Sequence, residues 1–243
     1  MLISLAGLTV EVLPRYPELT ALCRDYLAPP GSAPVLSVSV TEEEILAEGT
    51  PGDHFTKGYL ETLAIYRKLC ERLLPRGRLL LHGSAFAFDG EGVLFTAPSG
   101  TGKSTHARLW REVYGDRVTV INDDKPLLTV RDGGVSVSGT PWDGKHRLST
   151  NLTVPLRAIV LLGRGQENVL VPVTPARAYP YLLGQTYRPS DPGLLALTLS
   201  LIDRAMPHLS LYMMRATLSE DAARVACRGI FGDSADTAEG AGG

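Results

Sequence analysis

Two polar runs carry the side chains best able to do chemistry: Ala97-Pro98-Ser99-Gly100-Thr101-Gly102-Lys103-Ser104-Thr105 and, further along, Asn122-Asp123-Asp124. In the first, Gly100 and Gly102 let the backbone curl so that successive N–H groups point into one concavity. A helix predicted over 105–114 turns the positive end of its dipole to the same place, and such a concavity takes an anion. The spacing, Ala or Gly, four residues, then Gly-Lys-Ser, lies between the apolar run Val93-Leu94-Phe95 and that helix, which is the context of a phosphate-binding loop. Lys103 would reach the β- and γ-phosphates of a nucleoside triphosphate. Ser104 offers a hydroxyl to Mg²⁺, which prefers oxygen ligands and keeps several waters. Ser99, Gly100, Thr101, Gly102 and Thr105 complete the phosphate-contacting set. The first position holds Ala97, where glycine is commoner.

Asp123 and Asp124 follow Val118-Thr119-Val120-Ile121, the first strand after the loop's helix, at the kind of strand end that an α/β sheet brings to its ligand. Strand alternation predicts that the two side chains point to opposite faces. One could hold Mg²⁺, directly or through water, and the other face an acceptor whose attacking hydroxyl it relieves of a proton. The competing reading is an Asx turn that merely closes the strand. In the loop 139–147, GTPWDGKHR, the glycines and proline shape the backbone. Lys145 and Arg147 are candidates for clamping phosphate charge, or else solvated surface charges. Trp142 reads as an anchor for a core or lid rather than as a stacking surface.

At these residues the chain resembles a known family. The hairpin with His82, the loop PSGTGKST and the Asn122-Asp123-Asp124 strand end look like the C-terminal kinase domain of HPr serine kinase/phosphorylase and its kinase relatives. The SGTGKS loop is also similar to that of ATP-dependent phosphoenolpyruvate carboxykinase, which shares the nucleotide-binding core. The resemblance covers residues 79–150. It implies an α/β fold with the mixed β-sheet P-loop kinase core of that type, that Lys103 and Ser104 handle phosphate and Mg²⁺, that Asp123 is the metal-side acid, that Asp124 is the catalytic base, and that His82 stands near the transferred phosphate. Read without the family, His82 at the head of an apolar strand is a satisfied core histidine. The family's acidic motif after the second hairpin is replaced here by VSVSGTPWDGKH, and the N-terminal part does not resemble the sensor domain of HPr kinases, so HPr itself is not implied as substrate.

The implied activity is an ATP- and Mg²⁺-dependent transfer of the γ-phosphoryl group to a hydroxyl, serine foremost, of a peptide or small protein. A small-molecule or carboxykinase-like phosphotransferase, or a non-catalytic ATP-binding accessory protein, are the alternatives. Against full carboxykinase chemistry, the chain is short and lacks an obvious set of basic and metal-binding residues for an oxaloacetate-like acid. The acidic pair discriminates the rest, since a binder needs Lys103 and Ser104 while a kinase also needs a base.

The elements that must position these groups show as periodicity. Residues 79–88 read as one apolar strand, joined through the turn Asp89-Gly90-Glu91-Gly92 to the strand entering the loop; this hairpin gives the loop strand an antiparallel neighbour and demands a mixed sheet. A second hairpin turns at 131–134. Strands follow at 158–162, 169–173 and 209–216. Helices open at Thr174-Pro175 and Asp191-Pro192, and Ser219 is expected to cap a last one reaching Phe231. Upstream, strands lie within 2–13 and 35–40 and helices at 16–27 and 57–74, with a capped helix start at Thr41. The expected organisation is a small N-terminal α+β subdomain over 1–78, an ATP-binding domain over 79–232 and a disordered polar tail over 233–243.

With 243 residues, 44% hydrophobic and 21% charged, the composition is that of an ordinary soluble chain, and a net charge of −2 gives no reason to expect nucleic acid. No apolar run has the length of a bilayer span. The N-terminus meets Glu11 and Pro14 without a basic n-region, so no signal peptide or membrane association is expected and the cytoplasm is the expected location. Cys23, Cys70 and Cys227, odd in number and far apart, read as buried free thiols. A homo-oligomer is left open.

Overall fold

The computed structural model describes residues 1–50, 52 and 54–237. Leu2–Leu5 (β1) and Leu8–Val12 (β2) pair antiparallel about an Ala6-Gly7 turn. Pro17–Leu22 (α1) ends at Cys23 and gives way to a 3-10 turn, so the segment 16–27 is not one helix. Leu36–Val38 (β3) adds to β2 in parallel. Glu42–Leu46 (α2) starts on a capping box, the Thr41 hydroxyl accepting from the Glu44 N–H and the Glu44 carboxylate from the Thr41 N–H. Lys57–Leu73 (α3) is capped by the Thr56 hydroxyl and stops through Pro75 at Gly77, whose φ of 75° suits a residue without Cβ. Between α2 and α3, Pro51 and Asp53 lie outside the described residues.

Arg78–Leu80 (β4), Ser84–Phe88 (β5) and Glu91–Thr96 (β6) precede the helix Lys103–Tyr114 (α4). Val118–Asn122 (β7), the hairpin Leu127–Arg131 (β8) and Gly134–Ser138 (β9), and the long strand Thr153–Arg164 (β10) follow. Val169–Pro172 (β11), Pro175–Gln185 (α5), Pro192–Ala205 (α6), Ser210–Ala216 (β12) and Glu220–Phe231 (α7) complete the chain of elements. Asp191 caps α6 by accepting from the Leu194 N–H, whereas neither Thr174 nor Ser219 caps its helix through the side chain.

The fold is mixed α/β. β1, β2 and β3 form a small sheet, and a nine-stranded mixed sheet runs β4-β8-β9-β10-β6-β5-β7, with β12 on β10 and β11 on β12. The β5–β6 hairpin is antiparallel as predicted, Ser84 facing Phe95 and Phe88 facing Glu91. The stretch 79–88, however, is two strands rather than one. Leu81, His82 and Gly83 leave the ladder: the His82 N–H donates to the Gln185 carbonyl (2.8 Å) and the Gly83 N–H to that of Asp124 (3.1 Å), while the Thr96 hydroxyl donates to the His82 carbonyl (2.7 Å). A Cβ at Gly83 would lie 2.7 Å from the Phe95 carbonyl oxygen, so only glycine fits this break. The break carries the chain from β4 beside β8 to β5 beside β6 and β7.

Alternation along the central strands gives the sheet two apolar faces. Ala85, Leu94, Ile159 and Leu161 pack with Ala178, Leu182, Leu201 and Ile202 of α5 and α6; Phe86, Val93, Phe95 and Val160 pack with Trp110 of α4 and Ala223 of α7. A third cluster joins the small sheet and α3 to Leu80, Leu127 and Trp142. All three cysteines are buried and free, and burial pushes the Cys23 and Cys70 thiols up to about 12. Among the described residues no helix is long and apolar enough to cross a membrane.

The start of the expected disordered tail is placed against the body. Asp233–Ala235 forms a 3-10 turn, Asp236 accepts from the Tyr114 hydroxyl (2.6 Å) and from Arg228 (2.7 Å), and Arg117 donates to the carbonyls of Ala235 and Thr237. Composition argued for disorder there, but one carboxylate meeting a phenol and arginines already presented by α4 and α7 outweighs it. Residues 238–243 of that tail lie outside the described residues.

Candidate functional site

Between β6 and α4 the chain makes the tight turn that its glycines allow: Gly100 has φ 77° and Gly102, the N-cap of α4, has φ 118°. α4 starts two residues earlier than predicted, which puts Lys103 and Ser104 in its first turn. Lys103 is buried, and its Nζ donates to the carbonyls of Ala97 (2.9 Å) and Pro98 (3.3 Å), closing the loop on itself. Burial pulls its pKa below the ordinary lysine value, opposed by the charges of Asp124 and Asp123. The Thr101 hydroxyl turns back to the Pro98 carbonyl (2.8 Å), and Arg164, at the end of β10, donates to the Gly100 carbonyl (2.6 Å).

The acidic pair stands just past β7, which ends at Asn122. An Asx turn is present, but Asn122 makes it: its Oδ1 accepts from the N–H groups of Asp124 (2.9 Å) and Lys125 (2.6 Å), and its Nδ2 donates to the carbonyls of Thr140 (3.0 Å) and Trp142 (3.3 Å). Because the pair lies in this turn, strand alternation does not send the two carboxylates to opposite faces, and both line one cleft. Asp123 is buried, its Oδ1 accepting from the Ser84 hydroxyl (2.7 Å). Its Oδ2 faces Gly144, where a Cβ would stand 3.1 Å away. Asp124 Oδ1 lies 3.2 Å from His82 Nε2, and Oδ2 accepts from Lys125 Nζ (2.7 Å). Burial alone would raise the Asp124 pKa; the hydrogen bonds from His82 and Lys125 override it and hold the carboxyl at about 2, so it is ionised at neutral pH. The His82 side chain is 34% exposed, which sets it on the cleft wall and not in a core.

The loop after β9 is pinned at its base. A Cβ at Gly139 would fall 2.0 Å from the Thr150 carbonyl oxygen, and the Trp142 Nε1–H donates to the Thr62 carbonyl of α3 (2.8 Å), its ring 5.3 Å from that of Tyr66. Trp142 is therefore an anchor. Beyond it, Lys145 and Arg147 are exposed on the cleft rim, and their side chains make no hydrogen bond or ion pair among the described residues.

The cleft measures about 1020 Å³ and brings together His82, Ser99, Gly100, Gly102, Lys103, Ser104, Thr105, Asp123, Asp124, Lys145 and Arg147; Thr101 does not line it. Its far wall comes from α1 and α3 through Glu18, Leu22, Tyr59 and Leu63, a contribution the sequence did not signal. Asn122, Ser84, Lys125 and Arg164 were also missed as positioning groups. Signals existed for the first three: an amide directly before the pair, a hydroxyl two residues after His82, and a lysine directly after Asp124. Among the described residues no three His, Cys, Asp or Glu side chains gather as a metal cage. Mg²⁺ carried in on phosphates needs only one or two protein oxygens, a role that fits the donors Ser104 and Asp123.

No curated protein matches the chain. Among solved structures, that of the Hpr(Ser) kinase/phosphatase from Coxiella burnetii is similar over 51% of this chain and 93% of that one, at 14% identity and a TM-score of 0.30. The family model described as SynChlorMet cassette protein ScmC matches residues 59–187, a range that runs from α3 past α5 and takes in the glycine loop, the acidic pair and the pinned loop. The cleft's chemistry thus lies within the part of the sequence that defines the match, and the chain belongs to the ScmC family.

Proposed function

We propose that the chain is a kinase that uses Mg·ATP to phosphorylate a hydroxyl, serine foremost, of a peptide or small protein. The observation that carries this reading is the meeting, in one cleft, of Lys103 and Ser104 on a glycine turn with an ionised Asp124 held by His82. Backbone N–H groups of the turn and the start of the α4 dipole bind the phosphates, and Lys103 exchanges its contacts with the Ala97 and Pro98 carbonyls for phosphate oxygens. Ser104 and Asp123 would hold Mg²⁺, which would supply charge neutralisation to the phosphates.

Asp124 accepts a hydrogen bond from the acceptor hydroxyl and aims its oxygen in line with the γ-phosphorus. As that oxygen bonds to phosphorus and the bond to the β–γ bridging oxygen breaks, the hydroxyl proton passes to Asp124. A carboxylate with a pKa of about 2 is a weak base, which suits a loose transition state where the proton leaves late. His82 fixes the orientation of Asp124 and faces the transferred group. Lys145 and Arg147, with no partner of their own among the described residues, clamp phosphate charge from the rim. The wall from α1 and α3 receives the acceptor, which gives the N-terminal subdomain a part in substrate binding.

The test is incubation with γ-labelled ATP, Mg²⁺ and a set of serine- and threonine-containing peptides, followed by location of the label. Label on a hydroxyl side chain, dependent on Mg²⁺, is the expected result. Bound ATP with no label on any acceptor would make the chain an accessory binder instead.

A further inference from the structure

β6, β10 and β12 run parallel, and β7 runs the same way as β6 through two antiparallel steps across β5. Their C-terminal ends therefore share one edge, in the spatial order β7, β6, β10, β12 with β5 between the first two. The acidic pair follows β7 on one side of the glycine loop; Arg164 ends β10, and the turn 217–219 follows β12, on the other. Granted the donor site proposed above, a nucleotide whose γ-phosphate lies toward Asp124 must leave the loop toward β10 and β12.

Leu218 stands at that exit. At 70% exposure it is the most exposed large apolar side chain among the described residues, and its Cδ2 would lie 3.6 Å from a Cβ built on Gly102. The turn bearing it is locked. Asn168 Oδ1 accepts from the Thr217 N–H (2.8 Å) and hydroxyl (3.0 Å), Asn168 Nδ2 donates to Ser219 Oγ (3.3 Å) and Asp221 Oδ2 (2.8 Å), and the Thr217 and Ser219 hydroxyls are 2.8 Å apart. This network also explains why Ser219 does not cap α7: its hydroxyl serves the turn. Among the described residues nothing covers this leucine, which a rigid turn holds in water beside the glycine loop. We propose that Leu218 is the platform on which the nucleobase rests, with Arg164 holding the Gly100 carbonyl beside it, so that the chain recognises a nucleotide rather than a bare polyphosphate.

The test compares the affinities of wild type, Leu218→Ser, Leu218→Met and Lys103→Ala for Mg·ATP and for Mg·tripolyphosphate. Leu218→Ser should weaken Mg·ATP about five- to tenfold, the loss of about half of what a fully buried leucine contributes, and leave tripolyphosphate unchanged. Leu218→Met should restore ATP affinity, and Lys103→Ala should weaken both ligands. Unchanged ATP affinity in Leu218→Ser, with Lys103→Ala still impaired, would overturn the platform and keep the donor site. Equal loss of both ligands in Leu218→Ser would also overturn it, since the residue would then act through the loop. A wild-type dimer that Leu218→Ser dissociates without changing ATP affinity would assign Leu218 to a second copy of the chain. A wild type that binds neither ligand would overturn donor site and platform together.

Discussion

Lys103 ends its reach on two carbonyls of its own loop, 2.9 and 3.3 Å away, contacts that it would exchange for phosphate oxygens in the proposed donor site. Lys103→Ala should therefore weaken Mg·ATP by at least about tenfold, while costing only about 1 kcal/mol of stability for the lost hydrogen bonds; calorimetry and thermal melts read the two separately. Gly100, Gly102 and Lys103 were legible as residues because positive φ and a lone cation leave their mark in residue type. Asn122 was not. The pair of carboxylates drew the chemical reading, yet it is the amide before them that makes the turn and so decides that both face one cleft.

At the scale of elements, α4 ties the loop to the sheet through a buried histidine. His106 is 2% exposed and stacks on Phe95 with ring centroids 5.5 Å apart, and burial pushes its pKa down from 6.5 to about 4. The folded-state pKa is the lower one, so stability is whole above 6.5 and declines as pH falls toward 4, where the unfolded chain binds a proton that the folded chain excludes. The shift corresponds to about 3 kcal/mol lost across that window. His106→Leu should flatten the melting temperature between pH 6.5 and 4 relative to wild type; a parallel decline in both proteins would place the acid sensitivity elsewhere. The hairpins and the strand–loop–helix order were legible at this scale because turn residues and periodicity specify them locally. The break at 81–83 was not, since apolar side chains continue through it and what ends the strand is the approach of Phe95, Gln185 and Asp124 from distant parts of the chain.

Across the whole molecule, long-range contacts settle what composition leaves open. Asp236 joins Tyr114 on α4 to Arg224 and Arg228 on α7, and Asp236→Ala should lower stability by about 1 to 2 kcal/mol; a chemical denaturation midpoint equal to wild type would show those contacts to be idle. The wall of α1 and α3 opposite the glycine loop was invisible in the sequence for the same reason, since it depends on Trp142 reaching across to Thr62. In the proposed mechanism one cleft, lined by the glycine turn and the start of α4, the turn after β7, the loop after β9 and the wall of α1 and α3, separates donor binding from transfer. The most direct measurement is a single-turnover transfer assay on Asp124→Asn at saturating Mg·ATP, with ATP affinity determined on the same protein. Affinity within about threefold of wild type, with transfer slower by about 10²-fold or more, is the result predicted for the loss of a proton acceptor. Full transfer by Asp124→Asn would contradict the assignment and leave the acidic pair as a strand-end turn.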